Sequence, residues 1–214
     1  MIQYDMKKTY KHVMFDFDGT IVDSYDTMVA IFNQMAHQLD IEPLSKEELA
    51  TLRDMTPKEV LKALGVPLIR LPGYLVTFRN EYIKQINTLH CIPGIEAILR
   101  ELSANYHFSI ITSNDEEAVS MFLQRHGIRE LFNPIYSARN IFGKHKVIQK
   151  LMKERKLDAK TTIYVGDEVR DIEASKKVGI DIISVSWGLN SQKILAEHSP
   201  TYLIEKPEEL TSIL

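Results

Sequence analysis

The 214-residue sequence has little of several features that mark particular classes of protein. It contains one cysteine, Cys91, which excludes an internal disulfide framework and fits a reducing compartment, so we expect a cytoplasmic protein. A formal net charge of −3 argues against binding to the phosphate backbone of nucleic acid. No apolar run approaches the roughly 18 residues that a membrane span needs, and the polar start MIQYDMKKTYKH does not read as a signal peptide. We therefore expect neither a nucleic-acid nor a membrane partner.

A block of helices is predicted between about residues 24 and 88, with no convincing strand in it. Apolar residues recur there at helical spacing. Ser45 with Glu48, and Thr56 with Glu59, have the spacing of capping boxes that begin helices. The aromatic residues at 74, 78 and 82 also follow helical spacing, and we interpret them as packing within this block.

The rest of the chain alternates strand and helix patterns. Short apolar runs predict strands at 12–17, 108–112, 134–136, 162–165, 181–185 and 202–204. Helical patterns of about ten residues separate most of them, which implies βαβ units. We therefore predict an α/β fold: a Rossmann-like, mostly parallel sheet with helices on both faces, into which the helical block is inserted after the first strand.

Two aspartates lie in the apolar stretch VMFDFDGTIVDS at 13–24. Ionised carboxylates are costly to bury unless another group compensates them. Asp16 and Asp18 are two residues apart, so on a strand both would point to the same side, and Gly19 lets the chain turn away. Because ligands of open α/β sheets bind beyond the carboxyl ends of the strands, we predict a pocket at this place.

Three later segments are expected to bring polar groups to the same edge of the sheet. Two of them follow predicted strands and one begins a helix; the residues are Ser113, Asn114, Lys144, Asp167, Glu168 and Asp171. Several acids, a base and donors near helix N-termini suit a divalent cation together with a phosphoryl group. Acids at 167 and 171 would also suit a helix N-cap and first turn, and Asp171 can serve both purposes.

These segments resemble the four ordered motifs of the haloacid dehalogenase-like (HAD) hydrolase superfamily. The segments are DFDGTIVDS, the SN pair after a strand, the lysine of GKHK, and VGDEVRDIEASKKVG. The closer similarity is to the phosphoglycolate-phosphatase-like branch, and it covers nearly the whole chain. The resemblance implies a helical cap at 24–88, and a catalytic core formed by 1–23 and 89–214. It further implies a Mg²⁺-dependent phosphatase that hydrolyses a small phosphomonoester, a phosphorylated metabolite, through an aspartyl-phosphate. We expect a monomer or homodimer.

The resemblance assigns roles to the acids. Asp16 would be the nucleophile, and Asp18 would protonate the leaving alcohol and then accept a proton from water. Mg²⁺ would be held by Asp16, the backbone carbonyl of Asp18, and Asp167. Asp171 would reach the metal through water, and Glu168 is a further candidate.

The resemblance also assigns a phosphoryl-binding cradle. Ser113 and Lys144 would bind the transferring phosphoryl group and balance its charge, and Asn114 and Gly19 would shape the same cradle.

Two of these assignments have rivals in the sequence. Lys146 competes with Lys144, and we prefer Lys144 because it follows Gly143 at the expected start of a helix. Thr112 competes with Ser113, because either residue could end the strand.

Other functions share part of this pattern. A phosphomutase of the same superfamily would use every core residue, and only product analysis separates it from a phosphatase. A dehalogenase needs no metal, which disfavours it here. A receiver-type module, which stores phosphate on an aspartate, is shorter and has no inserted cap. Arg53, Lys58 and Arg79 in the cap are candidates to meet a second anionic group of the substrate.

Overall fold

The computed structural model describes residues 9–36, 42–66, 69–138 and 143–214. Its strands are β1 His12–Phe15, β2 Val22–Asp23, β3 His90–Cys91, β4 His107–Thr112, β5 Phe132–Ser137, β6 Thr162–Gly166, β7 Asp181–Val185 and β8 Tyr202–Ile204. Six of them form one sheet in the order β5-β4-β1-β6-β7-β8, and every neighbouring pair is parallel. The predicted parallel sheet is confirmed.

Helices cover both faces of this sheet. The α-helices of the described residues are α1 Tyr25–Met35, α2 Lys46–Leu52, α3 Pro57–Ala63, α4 Leu71–Gln85, α5 Ile95–Leu102, α6 Glu116–Arg125, α7 Lys144–Arg155, α8 Val169–Val178, α9 Gln192–Glu197 and α10 Leu210–Ile213, and those from α5 onward cover the sheet. Alternate residues of β1 point to opposite faces. Val13 and Phe15 join a cluster with residues of α5, α6 and α10, while Met14 joins one with residues of α7, α8 and α9. The α/β class with helices on both faces is therefore confirmed.

The four helices α1 to α4 follow β1 and lie between the strands of a short antiparallel ribbon, in which β2 pairs with β3. Both predicted capping boxes are present: the Ser45 side chain accepts from the Glu48 N–H, and the Thr56 side chain accepts from the Glu59 N–H. The ribbon itself has no counterpart in the sequence prediction, because two-residue strands are too short to show a period.

The first strand is shorter than predicted. It ends at Phe15 rather than 17, although the Asp16 N–H still donates to the Val165 carbonyl at 2.8 Å. The Phe17 N–H then donates to the side chain of Asp16, and this contact turns the chain away from the sheet. Among the residues that the structure describes, no helix is both long enough and apolar enough to span a membrane.

Candidate active site

The carboxyl ends of three neighbouring strands meet at one edge of the sheet. Asp16 follows β1, Ser113 follows β4 and Asp167 follows β6, and β1 is the middle strand of the three. Lys144 begins α7 and reaches the same edge. The segments that carry the predicted site residues therefore converge.

Lys144 is held between two buried carboxylates. Its Nζ lies 2.6 Å from Asp16 Oδ2 and 2.5 Å from Asp171 Oδ1, and all three side chains are at most 4% exposed. Burial by itself lowers the pKa of Lys144, but the charges of Asp16 and Asp171 outweigh burial and raise it above its usual value. The ammonium group therefore stays charged and neutralises part of the acidic site.

Three carboxylates form a second group beside this ion pair. Asp16, Asp167 and Glu168 each place an oxygen within 4.8 Å of the others. Burial and then the charge of Glu168 raise the pKa of Asp167 well above its usual value, with a further contribution from Asp16. Converging carboxylate oxygens are the ligands that hard divalent cations such as Mg²⁺ or Ca²⁺ prefer, so this donor set fits such an ion.

Asp171 lies outside that group of three. One of its oxygens contacts Lys144, and the other accepts the Glu168 backbone N–H at 3.1 Å, in the first turn of α8. Of the acids that the sequence proposed for the metal, the structure thus brings Asp16 and Asp167 together with Glu168 and pairs Asp171 with the lysine.

The backbone at Gly19 approaches Asp167 closely. Gly19 has a φ of 65°, and a Cβ atom built there would lie 2.2 Å from Asp167 Oδ2. The same carboxylate accepts the Thr20 hydroxyl at 3.2 Å and the Leu189 N–H at 2.7 Å. Because any side chain at 19 would displace this carboxylate, the glycine fixes how the loop after β1 packs against the loop after β6.

The side chain of Asp18 has different partners from that of Asp16. The Tyr82 hydroxyl donates to Oδ1, and the Asn114 amide donates to Oδ2 at 2.5 Å. Burial raises the pKa of Asp18 to about 6; the hydrogen bond from Tyr82 opposes this effect and the negative charge of Asp16 adds to it. A carboxyl group with that pKa can both hold and release a proton near neutral pH.

The sequence left two pairs of alternatives, Thr112 or Ser113 and Lys144 or Lys146, and the members of each pair lie in different places in the structure. Thr112 is buried, and its Oγ1 accepts the Asn114 N–H at 3.0 Å, whereas Ser113 lines a cavity beside Asp18. Lys146 is exposed on α7, whereas Lys144 is buried at the carboxylates. The geometry favours Ser113 and Lys144.

That cavity, of about 210 Å³, lies between the helical block and the sheet edge. Its polar lining includes Asp18, Ser113, Asn114, Glu168, Arg79 and Arg170. Near this cavity, hydrogen bonds connect a turn of the helical block to the rest of the chain. The Asn190 amide donates to the carbonyls of Arg53 and Met55 at 3.1 and 3.0 Å.

Sequence reasoning missed two site residues. Arg170, whose Nε donates to Glu168 Oε1 at 2.8 Å, lies inside the quoted GDEVRD segment, but nothing in its spacing indicated that it faces the site. Tyr82 belonged to an aromatic stripe that was interpreted as packing within the helical block, and this interpretation is incomplete because its hydroxyl contacts Asp18. Spacing predicts the face of a helix, not the partner of one hydroxyl.

The chain is similar to known proteins over most of its length. The family model described as haloacid dehalogenase-like hydrolase matches residues 13–185. A phosphoglycolate phosphatase of Synechococcus elongatus is 31% identical over 199 residues, which are 92% of this chain and 94% of that protein. The pyrophosphatase PpaX of Oceanobacillus iheyensis is 23% identical, with 94% of this chain and 95% of that protein covered. A haloacid dehalogenase-like hydrolase structure from Streptococcus pneumoniae has a TM-score of 0.80 at 25% identity, with 95% of this chain and 97% of that one covered.

Proposed function

Because the chain belongs to the haloacid dehalogenase-like hydrolases, as a phosphoglycolate-phosphatase-like member and a phosphoric monoester hydrolase, we propose that it is a Mg²⁺-dependent phosphatase that acts through a phosphorylated Asp16. One observation carries the proposal. Asp16 has a buried ammonium group on one side and two further carboxylates on the other, while a protonatable Asp18 lines the adjacent cavity. The ammonium group balances the negative charge of the nucleophile, and Asp18 supplies an acid at the same edge of the sheet.

The proposed reaction has two steps. In the first, a carboxylate oxygen of Asp16 bonds to phosphorus, the ester P–O bond breaks, and the leaving oxygen takes a proton from Asp18. In the second, a water molecule gives a proton to Asp18 while the water oxygen bonds to phosphorus and the P–O bond to Asp16 breaks, which releases inorganic phosphate and regenerates the Asp16 carboxylate. The pKa of about 6 at Asp18 suits a group that must first give and then accept a proton.

The acids divide between two tasks in this proposal. Asp16, Asp167 and the backbone carbonyl of Asp18 would hold Mg²⁺, with Glu168 as a further ligand, and Asp171 would act from beside Lys144. Once bound, Mg²⁺ would neutralise charge on the phosphoryl oxygens and on the nucleophile.

The remaining residues would form the cradle for the phosphoryl group. Lys144 would balance its charge, and the Ser113 hydroxyl and Asn114 amide would orient it beside the backbone of Gly19. Ser113 and Asn114 line the cavity, which supports this part of the proposal.

We propose a small anionic ester, with phosphoglycolate as the first substrate to test, because the 31%-identical relative carries that name. Of the three cap cations considered from the sequence, Arg79 lines the cavity and is the candidate for a second anionic group. The guanidinium of Arg53 instead donates to the Gly188 carbonyl at 2.8 Å, and Lys58 lines a neighbouring cavity. In this proposal 24–88 is the cap, and 1–23 with 89–214 is the catalytic core.

The decisive experiment measures inorganic phosphate released from phosphoglycolate and a panel of other phosphomonoesters, with Mg²⁺ and with EDTA. We expect Mg²⁺-dependent release that Asp16→Asn abolishes, while the circular dichroism spectrum of that variant stays like that of the wild type. Retention of most activity by Asp16→Asn would refute the nucleophile assignment. Transfer of phosphate to another position of the substrate, without release, would instead identify a mutase.

A further inference from the structure

Tyr82 belongs to α4 of the cap, but its side chain is part of the main hydrophobic core. It is 1% exposed and lies in the same cluster as Phe17, Ile86 and Leu89. Its hydroxyl lies at the edge of this apolar environment, where it donates to Asp18 Oδ1 and also neighbours the side chains of Ser24 and Asn114. The position of the hydroxyl is therefore set by packing of the ring rather than by a mobile surface side chain.

The carboxyl group of Asp18 is held at both of its oxygens. Tyr82 donates to Oδ1 from the cap, and Asn114 donates to Oδ2 at 2.5 Å from the core. Two donors in fixed positions define the plane of a carboxyl group, whose terminal torsion is otherwise soft. The carboxyl therefore presents its remaining lone pairs to the cavity in one orientation.

We propose that Tyr82 is a positioning residue that orients the Asp18 carboxyl for proton transfer to the leaving oxygen. The inference rests on the proposed function, because it requires Asp18 to be the acid of the first step. A misoriented acid retains its proton but delivers it less effectively, since catalysis by proton transfer depends on alignment within hydrogen-bond distance.

A purely structural role makes a different prediction. If the hydroxyl only satisfied a buried carboxylate, its loss would lower stability or change activity equally for all substrates. If it positions the acid, its loss matters only where the leaving oxygen needs a proton. Phenyl phosphate and 4-nitrophenyl phosphate form a matched pair for this test, because they are similar in shape while 4-nitrophenolate leaves readily without protonation.

The experiment compares kcat/KM of both esters, in Mg²⁺, for the wild type, Tyr82→Phe and Asp18→Asn. Tyr82→Phe keeps the buried ring, and Asn114 and Ser24 remain as hydrogen-bond partners of Asp18, so we expect it to fold. We expect Tyr82→Phe to lower kcat/KM about tenfold for phenyl phosphate and less than about twofold for 4-nitrophenyl phosphate. Ile86→Val, a core change in the same cluster, serves as the control and should affect both esters alike.

The outcomes separate the two proposals. Equal losses for both esters, or no loss for either, in Tyr82→Phe would overturn the positioning role, provided that Asp18→Asn slows phenyl phosphate selectively. If Asp18→Asn slows both esters equally, Asp18 is not the leaving-group acid, and the assignment of Asp18 falls together with that of Tyr82. Thermal unfolding of each variant identifies any loss that comes from an unfolded fraction.

Discussion

Replacing Lys144 by methionine removes the ammonium group that contacts both Asp16 and Asp171. All three side chains are at most 4% exposed, so the change leaves two buried carboxylates next to each other without their cation. Breaking a buried ion pair from one side typically destabilises a protein by about 3–5 kcal/mol. Because domains of this kind have a total stability of about 5–15 kcal/mol, we expect the variant to fold but to lose a large fraction of that stability.

The loss should depend on pH in a direction that the structure defines. The pKa of Asp171 is raised to about 6, by burial first, and the charge of Lys144 opposes that rise. Removing Lys144 raises this pKa further, so the folded state prefers the protonated acid while the unfolded state ionises near its ordinary value of about 4. The variant is therefore most destabilised above the folded pKa of Asp171, and the deficit shrinks as the pH falls through that value towards about 4.

Urea unfolding in EDTA at pH 8 and at pH 5 measures both effects. With a denaturant slope of about 3 kcal/mol per molar, a loss of 3 kcal/mol moves the midpoint down by about 1 M at pH 8. The matched control is Lys146→Met, because Lys146 is exposed on the same helix and its loss should change stability by less than about 0.5 kcal/mol. Equal midpoints for the two variants at pH 8 would refute the role assigned to the buried ammonium group. In phosphatase assays, we expect activity to be lost with Lys144→Met and retained with Lys146→Met.

Three further changes test the carboxylate site and the sheet. Mg²⁺ at about 100 times its dissociation constant should stabilise the wild type by about 2.7 kcal/mol, or about 5–10 °C in thermal unfolding. Asp167→Asn should lose most of this shift in unfolding temperature. An undiminished shift in that variant would exclude Asp167 as a ligand. Gly19→Ala should destabilise the fold by about 2 kcal/mol and weaken the Mg²⁺ response, since its Cβ would lie 2.2 Å from Asp167 Oδ2, whereas Gly73→Ala, with no atom within 4 Å of the new Cβ, should do neither. Burial lowers the pKa of His12 to about 4 and keeps the ring neutral beside Ser109. Because the unfolded state binds the proton at higher pH than the folded state, the free energy of unfolding should decline by about 3 kcal/mol as the pH falls from 6.5 to 4. A His12→Gln variant whose stability declines equally would contradict this.

The sheet and the order of its elements followed from local patterns in the sequence. The predicted strands 181–185 and 202–204 match β7 and β8, because buried apolar runs between helices have clear ends. Helix starts were also predictable where a capping box marks them, as at Ser45 and Thr56. The start of α8 was predicted to within one residue: the acids at 167 and 171 suited an N-cap and a first turn, and the structure has Glu168 as the N-cap and Asp171 in the first turn, where its side chain accepts the Glu168 N–H.

The sequence predicted which residues lie in the site better than it predicted which side chains contact each other there. The sequence placed Asp16, Asp167 and Lys144 at one sheet edge because strand ends in a parallel sheet must converge there. It expected the side chains of Asp16 and Asp18 to point to the same side, but it could not predict that the Phe17 N–H donates to Asp16 or that Asp18 accepts the Tyr82 hydroxyl. The direction in which a side chain points after the last residue of a strand depends on the geometry of the turn and on side chains far away in the sequence. Rules based on residue spacing do not describe either of these.

The arrangement of charges explains why carboxylates lie in so apolar a part of the chain. Four carboxylates and two cations make up the group: Asp16, Asp167, Glu168, Asp171, Lys144 and Arg170. With all of them ionised, two negative charges remain uncompensated, and in a protein interior such an excess is relieved either by protonation or by a bound cation. Burial and the charges of Glu168, Asp16 and Asp171 raise the pKa of Asp167 well above its usual value, which is the direction that favours protonation. A divalent cation would neutralise the same excess, so under the proposed function the buried acids are compensated by two basic side chains together with the bound ion.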